Sequence, residues 1–212
     1  LETHPLTQRL RASKTYTETR PHLSMHQTHR ANHFVAGTLS GANKVTVPPY
    51  VFTRMKCGSS PTSQFSSQTT TQTTGASQTQ GQAETISLFH LGSTLNGHPG
   101  YVHGGLLTVM FDETFARCVA GSFGSGVGMT ANLSVDFRAP ARPDSVYVLR
   151  AETVRVEGRK AWVQGSLRVL SPSQKKEGQG EMEEEEGTLV AEARALFVEP
   201  KFAQSMVPLY RN

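Results

Sequence analysis

A glycine-rich turn runs directly into an apolar segment that carries two adjacent acids. The turn covers 97–105, with the sequence Gly-His-Pro-Gly-Tyr-Val-His-Gly-Gly, and the acids are Asp112 and Glu113. Glycines leave backbone N–H groups uncovered, and the first turn of a helix presents unsatisfied donors at the positive end of the helix dipole. The pattern therefore predicts a site that polarises a carbonyl oxygen, such as that of a thioester.

Asp112 is the candidate for the reactive carboxylate. The surrounding helix is apolar nearly all round, which predicts that it is wrapped by protein and that both acids are buried. Glu113 is expected to pair with Arg117, four residues further along the same helical face. Asp112 has no such cation nearby, so it could act as a general base or attack a carbonyl carbon directly. The structural alternative is a buried aspartate bonded to a hydroxyl or a backbone amide.

The spacing of the glycine turn and the aspartate predicts a dimer. Gly105 and Asp112 are seven residues apart, which places them on nearly the same helical face but about 10 Å apart along the axis. One carbonyl group cannot easily touch both. A symmetric dimer solves this if the helix start of one subunit faces the aspartate of its partner.

Four segments after the helix are predicted to be strands: 127–137, Val146–Val156, Ala161–Leu170 and Thr188–Val198. The first alternates apolar and polar residues in strict period two, which predicts a half-buried strand. Its polar face carries Thr130 and Asn132, which could bind a catalytic water or the attacking carboxylate, or could simply face solvent. One long helix followed by antiparallel strands indicates the α+β class, with a central helix in a curled sheet.

The order of His103-Gly104-Gly105, Asp112 and the strand motif Met129-Thr130-Ala131-Asn132-Leu133 resembles the hotdog-fold acyl-CoA thioesterases. The hairpin from Val156 to Trp162 strengthens the resemblance. The chain is also similar to fungal proteins of the thioesterase family in two upstream segments, Pro21-His22-Leu23 and Ala36-Gly37-Thr38-Leu39. The resemblance implies one long central helix wrapped by a curved antiparallel sheet of five to six strands.

The resemblance also implies roles for the motif residues. The backbone amide of Gly104 or Gly105 would hold the thioester oxygen, and His103 would shape the turn. Asp112 would be the base or nucleophile. Thr130 would orient water or Asp112 within the same subunit, opposite the helix start of the partner.

Four further residues are candidates for substrate binding. Asn96 lies where some relatives place a polar group, and Asn132 follows Thr130 on the strand motif. Arg159 and Lys160 lie at a predicted hairpin tip, where their positive charges could contact the phosphates of coenzyme A. The alternative for this basic pair is a solvated turn.

Composition divides the chain into four parts. Residues 1–57 are predicted to be an N-terminal extension that packs on the domain, and 58–83, rich in Ser, Thr, Gln and Gly, a disordered insertion. The hotdog domain is predicted at 84–200, with a disordered acidic loop at 171–187, and a tail follows at 201–212.

Charge and cysteine content limit the possible partners. The net charge of +4 comes from scattered basic residues without a recognition motif, so no nucleic-acid binding is expected. Cys57 and Cys118 indicate no disulfide framework, which favours an intracellular, reducing compartment. The chain begins at Leu1, so mitochondrial and cytoplasmic locations both stay open. No apolar run is long enough to predict a membrane span.

Four histidines have the spacing of one helical face: His22, His26, His29 and His33. Such a face could bind zinc. No cysteine or acidic ligand joins them, and Pro21 makes the helix doubtful, so no metal is predicted. No cofactor is expected either, because coenzyme A would be part of the substrate.

The sequence therefore favours an acyl-CoA thioesterase that works as a homodimer or a dimer of dimers. Two alternatives stay open. One is a non-catalytic protein of the same fold that binds acyl thioesters. The other, less favoured, is an acyl-CoA hydratase or dehydratase, for which a second acid–base motif after Asp112 is missing from the sequence.

Overall fold

The fold is described here from a computed structural model, which covers residues 1–56, 81–170 and 187–206. The predicted disordered segments 58–83 and 171–187 lie almost wholly outside these described residues, as does Cys57. One boundary differs from the prediction. Ala83, assigned from composition to the insertion, is a buried residue at the start of a strand.

A 17-residue helix, α4 (Gly104–Ala120), lies at the centre of the domain. Its apolar side chains are buried along most of its length, as the sequence predicts, because they pack into the sheet that surrounds it. The fully enclosed members are Met110, Phe111, Phe115, Cys118 and Val119. Asp112 is only partly buried, because it lies on the flank of α4 that faces away from the main core.

Seven antiparallel strands form the sheet, in the spatial order β1-β2-β3-β7-β8-β9-β6. Their bounds are β1 (Thr17–Thr19), β2 (Tyr50–Met55), β3 (Ala83–Leu91), β6 (Met129–Phe137), β7 (Ser145–Glu157), β8 (Lys160–Leu170) and β9 (Thr188–Val198). A separate ribbon of β4 (Asn96–His98) and β5 (Tyr101–Val102) leads into α4. The four strands predicted after the helix are confirmed, with ends shifted by at most two residues.

The N-terminal residues contribute to both faces of the sheet. Helix α1 (Pro5–Ala12) buries Leu6 and Leu10 against the face that points away from α4. The short helices α2 (Pro21–Ser24) and α3 (Gln27–Ala31) and a π-helical turn (Phe34–Thr38) follow. Val35 and Val45 are buried in the same core cluster as α4. The segment before residue 56 therefore supplies part of the core.

The α+β class and the hotdog architecture are confirmed, because one long helix is wrapped by a single antiparallel sheet. The sheet has seven strands and not five to six. Five of them, β3 and β6 to β9, come from the predicted domain, and β1 and β2 extend the sheet beyond β3. The extension forms because β2 pairs with β3 along six residues, from Tyr50 opposite Leu88 to Met55 opposite Ala83.

One prediction about burial is wrong for the single subunit. Strand β6 was expected to be half buried, yet Met129 is 44% exposed and Phe137 is 54% exposed. The reason is that β6 ends the sheet and pairs only with β9, and a register shift between Thr130 and Asn132 interrupts its alternation. Only Leu133 and Val135 of this strand pack partly against the core.

Close contact between α4 and the sheet requires a glycine on β8. A Cβ atom at Gly165 would lie 2.4 Å from the carbonyl oxygen of Arg150 and 2.8 Å from Cε1 of Phe115. The aromatic ring of Phe115 therefore lies directly against the backbone of the central strands, and this sets the distance between helix and sheet.

No helix among the described residues is long and apolar enough to cross a membrane.

Candidate active site

The start of α4 is built by His103. This residue is the N-cap, and its Nδ1 accepts a hydrogen bond of 2.9 Å from the backbone N–H of Gly105. The N–H of His103 itself donates to the carbonyl of Leu95. The N–H of Gly104 has no acceptor among the described residues. Of the two predicted oxyanion donors, Gly104 is therefore the one whose N–H is available.

An aromatic side chain lies beside this donor. A Cβ atom added at Gly104 would lie 3.3 Å from Cζ of Phe137, so the ring of Phe137 packs against the backbone of Gly104. In the sequence, Phe137 is only an apolar position at the end of the predicted strand 127–137. It reaches the helix start because α4 lies alongside β6, with Thr130 beside Asp112 and Phe137 beside Gly104.

Asp112 and Thr130 are in direct contact. Thr130 Oγ1 donates a hydrogen bond of 2.6 Å to Asp112 Oδ1. The two residues are 18 positions apart in the chain, and the contact forms because α4 lies alongside β6. The bond uses one oxygen of the carboxylate and orients the side chain. The other oxygen has no hydrogen-bond partner among the described residues, so it is available to accept a proton or to attack a carbonyl carbon.

Asn96 lies next to the helix start, because β4 pairs with β5 and Asn96 is opposite Val102. Its Oδ1 atom is buried and has no hydrogen-bond partner within the described part of the chain. A buried polar atom without a partner is costly, so Asn96 Oδ1 is a candidate to accept a hydrogen bond from a bound molecule.

The other predicted substrate contacts lie at the surface. Asn132 is exposed on β6, and Lys160 is exposed at the start of β8. Arg159 donates a hydrogen bond of 2.9 Å to the carbonyl of Glu199, which fixes it at the tip of the β7–β8 hairpin. The structure thus groups His103, Gly104 and Asn96 at the start of α4 and joins Asp112 to Thr130 about two turns further along the helix.

Glu113 contacts partners that sequence analysis missed. Its Oε2 lies 3.4 Å from Nε2 of His22, and its Oε1 lies 3.6 Å from Nε2 of His33. The expected effect of Arg117 is also present, because its positive charge helps to lower the pKa of Glu113. The histidines had been considered only as possible metal ligands, and nothing in a local spacing could indicate a contact between residues 91 positions apart.

His26 and His29 do not join this cluster, and their rings lie 5.9 Å apart on or next to α3. Among the described residues, no group of three His, Cys, Asp or Glu side chains is placed to hold a metal ion.

Comparison with known proteins gives the family. Residues 99–172 match the model of the thioesterase superfamily, and this range includes the helix start, Asp112 and Thr130. These residues belong to the thioesterase superfamily. The part of this chain that matches the family model runs from the turn before α4 to two residues after the end of β8.

Curated relatives of the domain include both named and uncharacterised proteins. The chain is 37% identical over 115 residues to the uncharacterized protein C26H8.11c of Schizosaccharomyces pombe, covering 54% of this chain and 59% of the relative. It is 34% identical over 117 residues to mouse acyl-coenzyme A thioesterase THEM4, covering 55% of this chain and 44% of that protein. An uncharacterized mitochondrial protein of Candida albicans is 29% identical over 174 residues, covering 82% of this chain and 63% of the relative.

The matched region thus spans about half the length of these curated relatives, from 44% to 63%.

Proposed function

We propose that this chain hydrolyses acyl-coenzyme A thioesters, with Asp112 as the base or nucleophile and the Gly104 amide as the oxyanion donor. The observation that carries the proposal is the hydrogen bond of 2.6 Å from Thr130 to Asp112, on the same helix whose first N–H lacks an acceptor among the described residues. A relative named acyl-coenzyme A thioesterase supports the substrate class.

The chemistry needs one proton acceptor and one oxyanion site. As a base, the Asp112 carboxylate takes a proton from water, the hydroxide adds to the thioester carbon, and the C–S bond then breaks to release the thiol and the acid. As a nucleophile, Asp112 attacks the same carbon, and the C–S bond breaks to release coenzyme A as a thiolate, which takes a proton from solvent. Water then hydrolyses the resulting anhydride to the free acid and the Asp112 carboxylate. In both routes the N–H of Gly104, at the positive end of the α4 dipole, stabilises the developing negative charge on oxygen.

One subunit does not supply both groups to one substrate, because seven or eight residues of helix separate the glycines from Asp112 by about 10 Å. The proposal therefore includes a homodimer in which the helix start of the partner faces Asp112. The exposed edge strand β6 supports it, since Met129 and Phe137 leave apolar surface uncovered next to unpaired backbone groups. The proposal allows a homodimer or a dimer of dimers, and the mass from sedimentation velocity distinguishes the two.

Four polar side chains are proposed to bind the rest of the substrate. Asn96 offers a buried, unpartnered oxygen beside the helix start. Asn132 lies two residues beyond Thr130 on the exposed strand. Arg159 and Lys160 would contact phosphates of coenzyme A, and replacing both with alanine is expected to raise KM for acyl-CoA more than KM for a thioester without a nucleotide.

The location is proposed from a relative whose name places it in the mitochondrion. We propose that this protein is also mitochondrial. Fractionation of cells expressing the full-length protein tests this, and recovery in the cytosol alone would exclude it.

The decisive experiment measures free-thiol release from short-, medium- and long-chain acyl-CoAs by the wild type and by Asp112→Asn. We expect turnover in the wild type and a loss of about a hundredfold or more in the variant, with acyl-CoA binding retained. Asp136→Asn is the matched control, because Asp136 is an exposed carboxylate on the same strand as Thr130.

Three outcomes separate the alternatives. Turnover that depends on Asp112 and not on Asp136 supports the thioesterase. Binding of acyl-CoA without turnover at any chain length would indicate the non-catalytic binding protein. Addition of water to an enoyl-CoA without thiol release would indicate the hydratase.

A further inference from the structure

Both oxygens of one carboxylate on α4 are contacted by histidines from the N-terminal segment. Glu113 Oε2 is 3.4 Å from His22 Nε2, and Glu113 Oε1 is 3.6 Å from His33 Nε2. The histidine side chains are 7% and 14% exposed, and that of Glu113 is 26% exposed. The two rings lie 5.9 Å apart, on either side of the carboxylate they share.

Two arginines lie next to the cluster, whereas β2 and β3 contribute only the uncharged Val51 and Ser87 beside it. Arg117 lies one turn further along α4, and the guanidinium of Arg30 on α3 donates a hydrogen bond of 3.5 Å to the carbonyl of His22. Burial alone would raise the pKa of Glu113, but the hydrogen bond from His22 and the charges of His33, His22 and Arg117 outweigh it and lower the pKa. Burial lowers the pKa of His33, against the opposing effect of Glu113.

A partly buried polar cluster is a poor source of stability. Its groups must be desolvated, and apolar side chains of similar volume often give an equally stable or more stable protein. A satisfied polar cluster can instead select one arrangement among several that pack equally well, because its contacts are directional. Helix α4 already presents one buried apolar face to the sheet, and the directional contacts of the cluster add to that packing on a partly buried flank of the helix.

The position of the cluster relates it to the reactive carboxylate. Asp112 and Glu113 are consecutive on α4, so their side chains leave the helix about 100° apart. Asp112 is bonded to Thr130 on β6, and Glu113 contacts the segment that contains α2 and the π-helical turn. The two contacts lie on different sides of α4 and add directional restraints to the rotation that its buried face already favours.

We propose that Glu113, His22 and His33 are positioning residues for Asp112, because their contacts dock residues 20–38 on α4 and restrain its rotation. This inference rests on the proposed function for its effect on turnover. The docking itself does not depend on that function. On this proposal the N-terminal segment contributes to the site by positioning Asp112, although it carries no group that touches the substrate.

The test compares Glu113→Leu with Glu113→Gln in the full chain. Leucine removes both contacts and fills similar volume, so we expect a folded protein whose kcat falls about tenfold to a hundredfold with little change in KM. Glutamine keeps the contacts, since its amide oxygen accepts from His22 and its N–H donates to neutral His33. Most of the lost kcat should therefore return. His26→Asn is the matched control, because His26 is an exposed N-cap histidine outside the cluster.

Backbone hydrogen exchange distinguishes this inference from the proposed function. In Glu113→Leu we expect faster exchange in 20–38 and in α4 around Asp112, and wild-type exchange in β7 and β8. Unchanged exchange, or a folded Glu113→Leu with wild-type kcat, would overturn the proposal. A fall in kcat that follows a general loss of stability and is not rescued by glutamine would also overturn it. A wild type without turnover refutes the proposed function, and the exchange data still decide whether the cluster docks residues 20–38 on α4.

Discussion

Asp112 and Glu113 are adjacent on α4, yet their carboxylates bind two different parts of the chain. Asp112 accepts a hydrogen bond of 2.6 Å from Thr130 on β6, and Glu113 contacts His22 and His33 of the N-terminal segment. Because consecutive residues are about 100° apart around a helix, the carboxylate of Asp112 remains accessible and that of Glu113 is largely enclosed. On our proposals, the first acid carries out the chemistry and the second positions it.

The hydroxyl of Thr130 should contribute to turnover through its bond to Asp112. Thr130→Val removes the donor but keeps the side-chain shape, and we expect kcat to fall about tenfold to a hundredfold, since a hydrogen bond to a charged group contributes about 1.5 to 3 kcal/mol. Thr130→Ser keeps the hydroxyl and should retain most activity. Steady-state thiol release measures both, and equal activity of the valine and serine variants would contradict the prediction.

The edge strand β6 should mediate association of two subunits. Met129→Asp places a charge on its exposed apolar surface and is expected to shift the protein toward the monomer and to reduce turnover. Val154→Asp is the control, because Val154 is 43% exposed on β7 and Met129 is 44% exposed. Sedimentation velocity of both variants and the wild type provides the measurement. A monomeric wild type with full activity would refute the shared site.

The approach of α4 to the sheet should depend on Gly165. Gly165→Ala adds a Cβ atom 2.4 Å from a backbone carbonyl, which cannot move cheaply, and we expect the free energy of unfolding to fall by about 1 to 3 kcal/mol. Gly124→Ala is the control, since a Cβ atom there would have no neighbour within 4 Å. Urea denaturation of the two variants should separate them clearly, and similar midpoints would show that Phe115 and β8 can adjust.

Stability should fall on acidification through His33. Burial lowers the pKa of His33 below its ordinary value of 6.5, so the folded protein binds fewer protons than the unfolded chain just below that pH. Its contribution to stability is therefore complete above about pH 6.5 and is lost as the pH falls through the lower, folded-state pKa. The lowered pKa of Glu113 acts in the same direction below its ordinary value of 4.5.

The melting temperature of the wild type, of His33→Asn and of His26→Asn between about pH 7.5 and pH 5 tests this linkage. His33→Asn should flatten the decline, and His26→Asn should not. Parallel curves for all three proteins would show that His33 does not carry the pH dependence.

Much of the fold follows from local sequence patterns. The apolar run after the glycine turn predicted a helix there, and the alternation or β-rich composition of β7, β8 and β9 located these strands to within two residues, because helix and strand periodicity depend only on neighbours in the chain. The domain boundaries near residues 57 and 200 stay predictions. Strand β2 could not be paired from its sequence, since an antiparallel partner is chosen by tertiary packing.

The candidate site also has one part that follows from local spacing and another that depends on tertiary packing. The sequence by itself determined that His103, Gly104 and Asp112 occupy one helix and its start, because their spacing along a helix is fixed by backbone geometry. Only the tertiary structure decided that Thr130 meets Asp112, that the Gly105 amide binds His103 while Gly104 stays available, and that His22 and His33 enclose Glu113. These contacts join residues brought together by packing of the N-terminal segment, α4 and β6, and such long-range contacts have no periodic signal in the chain.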